Sequence, residues 1–130
     1  MPASPEPHSV QCMASIASVA LKQVLDDFRP DAFVCVNDRT AGRLIQGLLA
    51  LGHTIPRDFR IVGIDDVEYA KLLPVPLTTI HQPCREIGQA AIAAMLDRIK
   101  NPDGIDRDIL LDCKLIVRAS CGSVERKTTF

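Results

Sequence analysis

Two short apolar runs, each closing on a polar doublet and joined by one helical pattern, restrict this chain more than any other feature. The first run is Phe33-Val-Cys-Val-Asn37-Asp38 and the second is Arg60-Ile-Val-Gly-Ile64-Asp65-Asp66. Between them Ala41, Leu44, Leu48 and Leu51 recur at spacings of three and four, the period of a helix with one buried stripe. A strand, a helix and a strand in that order make a crossover unit, which favours a parallel sheet with helices laid on it. In such sheets, ligands bind in the crevice beyond the carboxyl ends of the strands. Both polar doublets stand at that lip.

The rest of the chain continues the alternation. Residues 1–8, with three prolines and no periodicity, are expected to be a loose tail. From Ser9 to Phe28 an apolar stripe through Val10, Met13, Ala17, Ala20, Val24 and Phe28 predicts a helix, which Arg29-Pro30-Asp31 ends. Asp38 is placed to cap the helix from Arg39 to about Leu51, and Gly52 to terminate it. Asp65-x-x-Glu68 has the spacing of a capping box for a short helix through about Leu72. Leu77–His81 is a third, β-branched strand, and Arg85–Lys100 a helix with an unbroken apolar run from Ala90 to Leu96. Ile109–Leu111 and Leu115–Val117 are candidate closing strands, followed by a polar tail over 123–130. One α/β unit over 9–122 is the expected domain.

The middle helix carries a second apolar stripe through Gly42, Ile45 and Leu49. A helix apolar on two sides is buried twice or forms an interface, and the small Gly42 would admit a second backbone. Pairing with another subunit is therefore expected there.

Composition removes several classes. The 130 residues fit one domain or one lobe, and folding could bury roughly two-thirds of the unfolded surface. A net charge of −1 supplies no basic field for a nucleic-acid backbone, so the chain alone is not expected to bind DNA. The five cysteines form no CxxC pair, and no histidine lies near them at ligand spacing, so neither a zinc site nor any cofactor is expected. An odd count, with Cys35 inside an apolar strand, reads as reduced thiols in the cytoplasm. The amino terminus does not have the pattern of a signal peptide, and no apolar run is long enough to cross a membrane.

Asn37 and Asp65 are the principal candidate ligands. A carboxylate can accept from two vicinal hydroxyls, and an amide can donate to and accept from a third, chemistry suited to a sugar, polyol or nucleoside. The alternative is that both residues only cap helices. Asp38, Asp65, Asp66 and Glu68 could instead hold magnesium for phosphoryl chemistry. However, Gly42-x4-Gly47 is followed by Leu48 rather than Gly-Lys-Ser/Thr and is no P-loop, and no GxGxxG follows a strand. Cys84 and His81 could be read as nucleophile and base, but no third orienting group is identifiable. His53, just after Gly52, reads as solvated.

Phe33-x3-Asn37-Asp38-x2-Ala41, Gly52-x3-Pro56-x-Asp58, Val62-Gly-Ile-Asp65-Asp66, Pro76-Leu-Thr-Thr-Ile-x-Gln82-Pro83, Gly88 and Leu115-x2-Arg118-x-Ser120 occur in order and at consistent spacing. Together they resemble the C-terminal half of the effector-binding core of LacI/GalR bacterial transcription regulators, over about Pro30 to Gly122. The resemblance implies part of a periplasmic-binding-protein-like fold, in which two lobes are joined by three crossover strands and a small effector, often a sugar or purine, sits between them. It implies Asn37 and Asp65 as effector ligands and Cys84 as a crossover residue lining the pocket. Gly42, Ile45 and Leu49, with Val67 and Tyr69 of the following segment, would contribute to a homodimer interface. The segment from about Arg85 to Ile109 would cross toward the first lobe, which has no counterpart in the matched motifs, nor has a DNA-binding head. The proline pair Pro74 and Pro76 is split by Val75, where the family usually has adjacent prolines. Outside this resemblance, a sugar-binding module unconnected to transcription or a small flavodoxin-like or phosphatase-like enzyme are the competing expectations.

Overall fold

A computed structural model describes residues 18–123. The tail over 1–8, the helical stripe through Val10, Met13 and Ala17, Cys12, and the tail beyond residue 123 lie outside the described residues. The order is α1 (Ser18–Phe28), β1 (Ala32–Val34), α2 (Asp38–Ala50), β2 (Arg60–Asp65), a 3-10 turn (Glu68–Lys71), β3 (Thr78–His81), α3 (Cys84–Lys100), β4 (Lys114–Ile116) and a second 3-10 turn (Ala119–Cys121). The strands form one sheet in the order β1-β2-β3-β4. β1 and β3 each run parallel to β2, whereas β4 returns antiparallel to β3. The sheet is therefore mixed at one edge. Ile109–Leu111 forms no strand; the closing ladder is made by Lys114–Ile116 alone, with Leu115 opposite Ile80.

Local sequence explains the bounds of α2. The Asn37 side-chain oxygen accepts the Thr40 N–H at 2.8 Å, so the cap is Asn37 and not Asp38, which becomes the first helical residue. The helix stops at Gly52, whose φ of +86° is open to glycine without a Cβ penalty. Past it, Asp58 accepts both the N–H (2.7 Å) and the hydroxyl (2.8 Å) of Thr54, which ties off the loop into β2. His53, expected to be solvated, is half-buried with its ring edge-on to Phe59, centroids 5.0 Å apart. The expected capping box does not form: Val67 precedes the 3-10 turn with no side-chain cap, and Glu68 pairs with Lys71.

α2 lies across the sheet face that carries Ile61 and Gly63. Ile45, Leu48, Ile61 and Leu77 are fully enclosed there, each contributing about 1.5–3 kcal/mol of burial. Gly63 is required by this approach, because a Cβ would collide with the Asp38 carboxylate and stand 2.9 Å from Leu77. Leu21 of α1 is buried against Gly47 of α2. A buried serine closes the far side: Ser120 Oγ accepts the Thr78 N–H at 2.8 Å and donates to the Ile61 carbonyl at 2.6 Å, joining β2, β3 and the last turn.

Two surfaces are left open. The opposite sheet face carries Val34 and Leu115, 79% and 61% exposed. α3 has no buried residue, and its Ile92, Met95, Leu96 and Ile99 face solvent. Its end is closed locally, by Arg98 donating to the Pro102 and Gly104 carbonyls and pairing with Asp106.

Candidate functional site

The carboxyl ends of the three parallel strands bring the polar doublets to one edge. β1 is followed by Asn37, β2 closes on Asp65, and β3 closes on His81 with Gln82 behind it. Asp65 and His81 are register partners. From that placement the Gln82 side-chain amide donates to Asp65 Oδ1 at 2.8 Å, both residues being half-buried. Asp65 is thus no helix cap. Asn37 is one, so its oxygen is committed to the backbone, and only its amide hydrogens remain as further donors.

Asp65 and Asp66 hold unusual backbone angles, with φ of +124° and +59°. Outside glycine such conformations cost about 1–3 kcal/mol each and persist where the surroundings over-determine them. The surroundings here are specific. The Asp66 N–H donates to Thr79 Oγ1 at 3.3 Å, and the Val67 N–H donates to Asp38 Oδ2 at 3.0 Å. The Thr79 hydroxyl in turn donates to Asp38 Oδ1 at 2.5 Å, and Asp38 is fully buried.

The Asp66 side chain points to a different set of partners. Its Oδ1 accepts from Arg118 at 2.6 Å, and its Oδ2 lies 3.1 Å from His81 Nδ1. Arg118 also donates to the Leu77 carbonyl at 2.9 Å. Desolvation raises the Asp66 pKa, but the hydrogen bonds and charges of Arg118 and His81 outweigh it and hold the carboxyl below its ordinary value. One carboxylate therefore ties the ends of β2 and β3 to the segment after β4.

The remaining expected site residues fall as follows. Cys84 is the exposed first residue of α3, its N–H bonded to the Gln82 carbonyl at 2.8 Å. His81 Nδ1 is turned to Asp66 Oδ2, 3.1 Å away. Ile45 and Gly42 are placed differently from the interface expected of them. Ile45 is sealed in the chain's own core, and Gly42 faces Leu73, 3.4 Å from where its Cβ would stand. Leu49 and Val67 are half-buried against that core. Tyr69, 43% exposed, keeps a surface to offer. Among the described residues, no group of three or more His, Cys, Asp or Glu side chains is placed to hold a metal ion. The carboxylates that could have formed one are turned to separate partners: Asp38 to Thr79, Asp66 to Arg118, Glu68 to Lys71. No described helix is long and apolar enough to cross a membrane. The bond from Gln82 to Asp65 was not foreseen from the sequence, although Gln82-Pro83 directly after a β-branched strand was the available signal.

A family model described as a periplasmic binding protein-like domain matches residues 1–121. The chain belongs to that family. Relatives with curated names are transcriptional repressors. The chain is 39% identical over 97 residues to the ribose operon repressor of Haemophilus influenzae, covering 75% of this chain and 29% of that protein. It is 41% identical over 90 residues to the repressor PurR of Vibrio vulnificus, covering 69% of this chain and 27% of that one. Among solved structures, a LacI family regulator from Enterococcus faecium with bound ribose aligns at 31% identity and a TM-score of 0.68, covering 80% of this chain and 38% of that one. A cellobiose complex of the regulator CelR aligns at 28% identity and 0.72, covering 79% and 32%. The LacI-type resemblance read from the motifs is thus the correct one. The chain spans under a third of the length of these curated relatives.

Proposed function

We propose that this chain is the effector-sensing portion of a LacI-type transcription regulator, binding a small sugar or nucleoside-like molecule at the carboxyl edge of β1, β2 and β3. The observation that carries the reading is Asp65. It sits at the carboxyl end of a parallel strand, is held at positive φ, and is joined through one oxygen to the Gln82 amide. Its second oxygen and the Gln82 carbonyl form an acceptor pair suited to vicinal hydroxyls, with the Asn37 amide hydrogens and Cys84 at the rim. The bound ribose and cellobiose of the LacI-type neighbours support that class of ligand. The half-site is completed by a facing lobe, for which α3 supplies an exposed apolar surface.

Effector binding would shift the population between lobe arrangements, and paired DNA-binding heads would report the shift. In this reading the heads belong to a part of the regulator other than this lobe, whose net charge of −1 supplies no basic field for a phosphate backbone. Pairing is assigned to the exposed side of the 3-10 turn around Tyr69 and Leu72 rather than to the buried Ile45. The reading makes the chain a cytoplasmic sensor and not an enzyme.

Calorimetric titration of the full chain with D-ribose, cellobiose and adenosine tests this. At least one should bind, and Asp65→Asn should weaken that binding about tenfold or more while leaving the thermal transition nearly in place. Unchanged affinity in the variant would remove Asp65 from the site. In a gel shift the chain should show no sequence-specific DNA complex; a tight, specific band would contradict the division of labour.

A further inference from the structure

We infer that Asp38 is a positioning residue, whose buried carboxylate, working through Thr79, sets the left-handed Asp65-Asp66 turn and so aims Asp65 at the ligand. The inference rests on the reading of Asp65 as an effector ligand, but its structural half stands independently of that reading.

Asp38 is fully buried, yet its bonds to Val67 and Thr79 serve neighbouring segments rather than its own helix. Oδ2 takes the Val67 N–H, the amide directly after the two left-handed residues. Oδ1 takes the Thr79 hydroxyl, leaving the Thr79 oxygen free to accept the Asp66 N–H. The two successive amides that follow Asp65 are thereby anchored to a single carboxylate, one directly and one through a hydroxyl. Aspartate tolerates the left-handed region better than most residues, but two in succession still carry a steric cost, and these backbone anchors offset it where the side-chain bonds of Asp65 and Asp66 hold only the carboxylates.

The cost of the arrangement shows in the packing around it. Burying a carboxyl group costs free energy that its hydrogen bonds from one amide and one hydroxyl must offset. The strand beneath it must carry Gly63, because any side chain there would displace the carboxylate. A helix that needed only a cap already has one in Asn37. Asp38 therefore does what capping does not require: it fixes where β2 ends and how its last side chain leaves the sheet. Thr79 extends the same control to β3, whose end carries Gln82, the partner of Asp65. Both halves of the acceptor pair are held from one point.

The test uses the full chain with two variants, Asp38→Asn and Thr79→Val, and Thr54→Val as an exposed-loop control. Amide hydrogen exchange at Asp66 and Val67 and calorimetric affinity for D-ribose are measured together. Both variants should raise exchange at these two amides at least tenfold, leave Ile61 and Leu48 protected, and weaken ribose binding about tenfold. The control should do neither. Unchanged exchange at Asp66 and Val67 overturns the inference. So does raised exchange with ribose affinity intact, since Asp38 would then serve stability alone. If the unsubstituted chain binds no ribose, the assignment of that ligand fails. The inference is then decided by the Asp65 backbone in crystals of Thr79→Val, where loss of the positive φ supports it and retention overturns it.

Discussion

α2 and α3 are both rich in apolar residues, and they meet opposite fates. α2 spans 13 residues and buries six of them, including Ala41, Leu44, Ile45 and Leu48; α3 spans 17 and buries none. The difference lies in what each helix faces. α2 crosses a strand with a glycine at the point of contact, and its second stripe, which looked like an interface, is taken up by the chain's own core, with Gly42 against Leu73. α3 leaves the sheet after Pro83 and has no residue buried under another layer among the described residues. Apolar content alone does not stabilise a helix; a complementary surface does. An isolated helix of about 15 residues is marginal in water.

The contrast should break most visibly at Ile45. Ile45→Ala should cost about 2–5 kcal/mol in urea unfolding, as expected for a large side chain removed from a sealed core. Ile99→Ala in α3 should stay within about 0.5 kcal/mol. Comparable losses at both sites would mean that α3 is packed in solution. Next in size comes Ser120→Ala, which strands a buried N–H and a buried carbonyl and should cost about 1–3 kcal/mol by the same measurement.

A smaller effect, on the order of 1 kcal/mol at neutral pH, is expected for Asp66→Asn, which weakens the bonds to Arg118 and His81. The pH dependence follows from the depressed folded-state pKa. The stabilisation is present above the ordinary Asp value of about 3.9 and is lost as pH falls through the lower native value. Thermal melts across that acid window should therefore drop less steeply for Asp66→Asn than for the native chain; parallel curves would show that the clamp carries no linkage. The smallest stability change belongs to Leu72→Asp, on the exposed side of the 3-10 turn. It should leave the melting temperature nearly unchanged but shift any dimer toward monomer in sedimentation, which separates surface from core on the side where sequence confused them.

Much of the fold was legible because periodicity reports burial directly. Alternating strand and helix patterns placed β1, α2, β2 and β3 within a residue or two, and Gly52 ended α2 as expected. What failed was finer. Asn37 took the cap expected of Asp38, because either side chain can cap and only the position of β3 decides which one turns inward to meet Thr79. Gly42 and Ile45 were taken for surface because a helical stripe says which residues share a face, not what lies against it. The place of Asp65 at the end of β2 was legible from its position after Ile64. Its bond to Gln82 was not, because that bond arises from register: Asp65 and His81 are partners across parallel strands separated by a long turn.

The amino-acid pattern alone determined the order of elements, the strands' polar termini and the family, since hydrophobic spacing and motif order are one-dimensional properties. Only the folded chain decided which carboxylate became a brace, which became an acceptor and which joined a clamp to Arg118. Asp38, Asp65 and Asp66 are chemically identical side chains. Their roles differ because each meets a different neighbour, and those neighbours are brought near only when the sheet assembles.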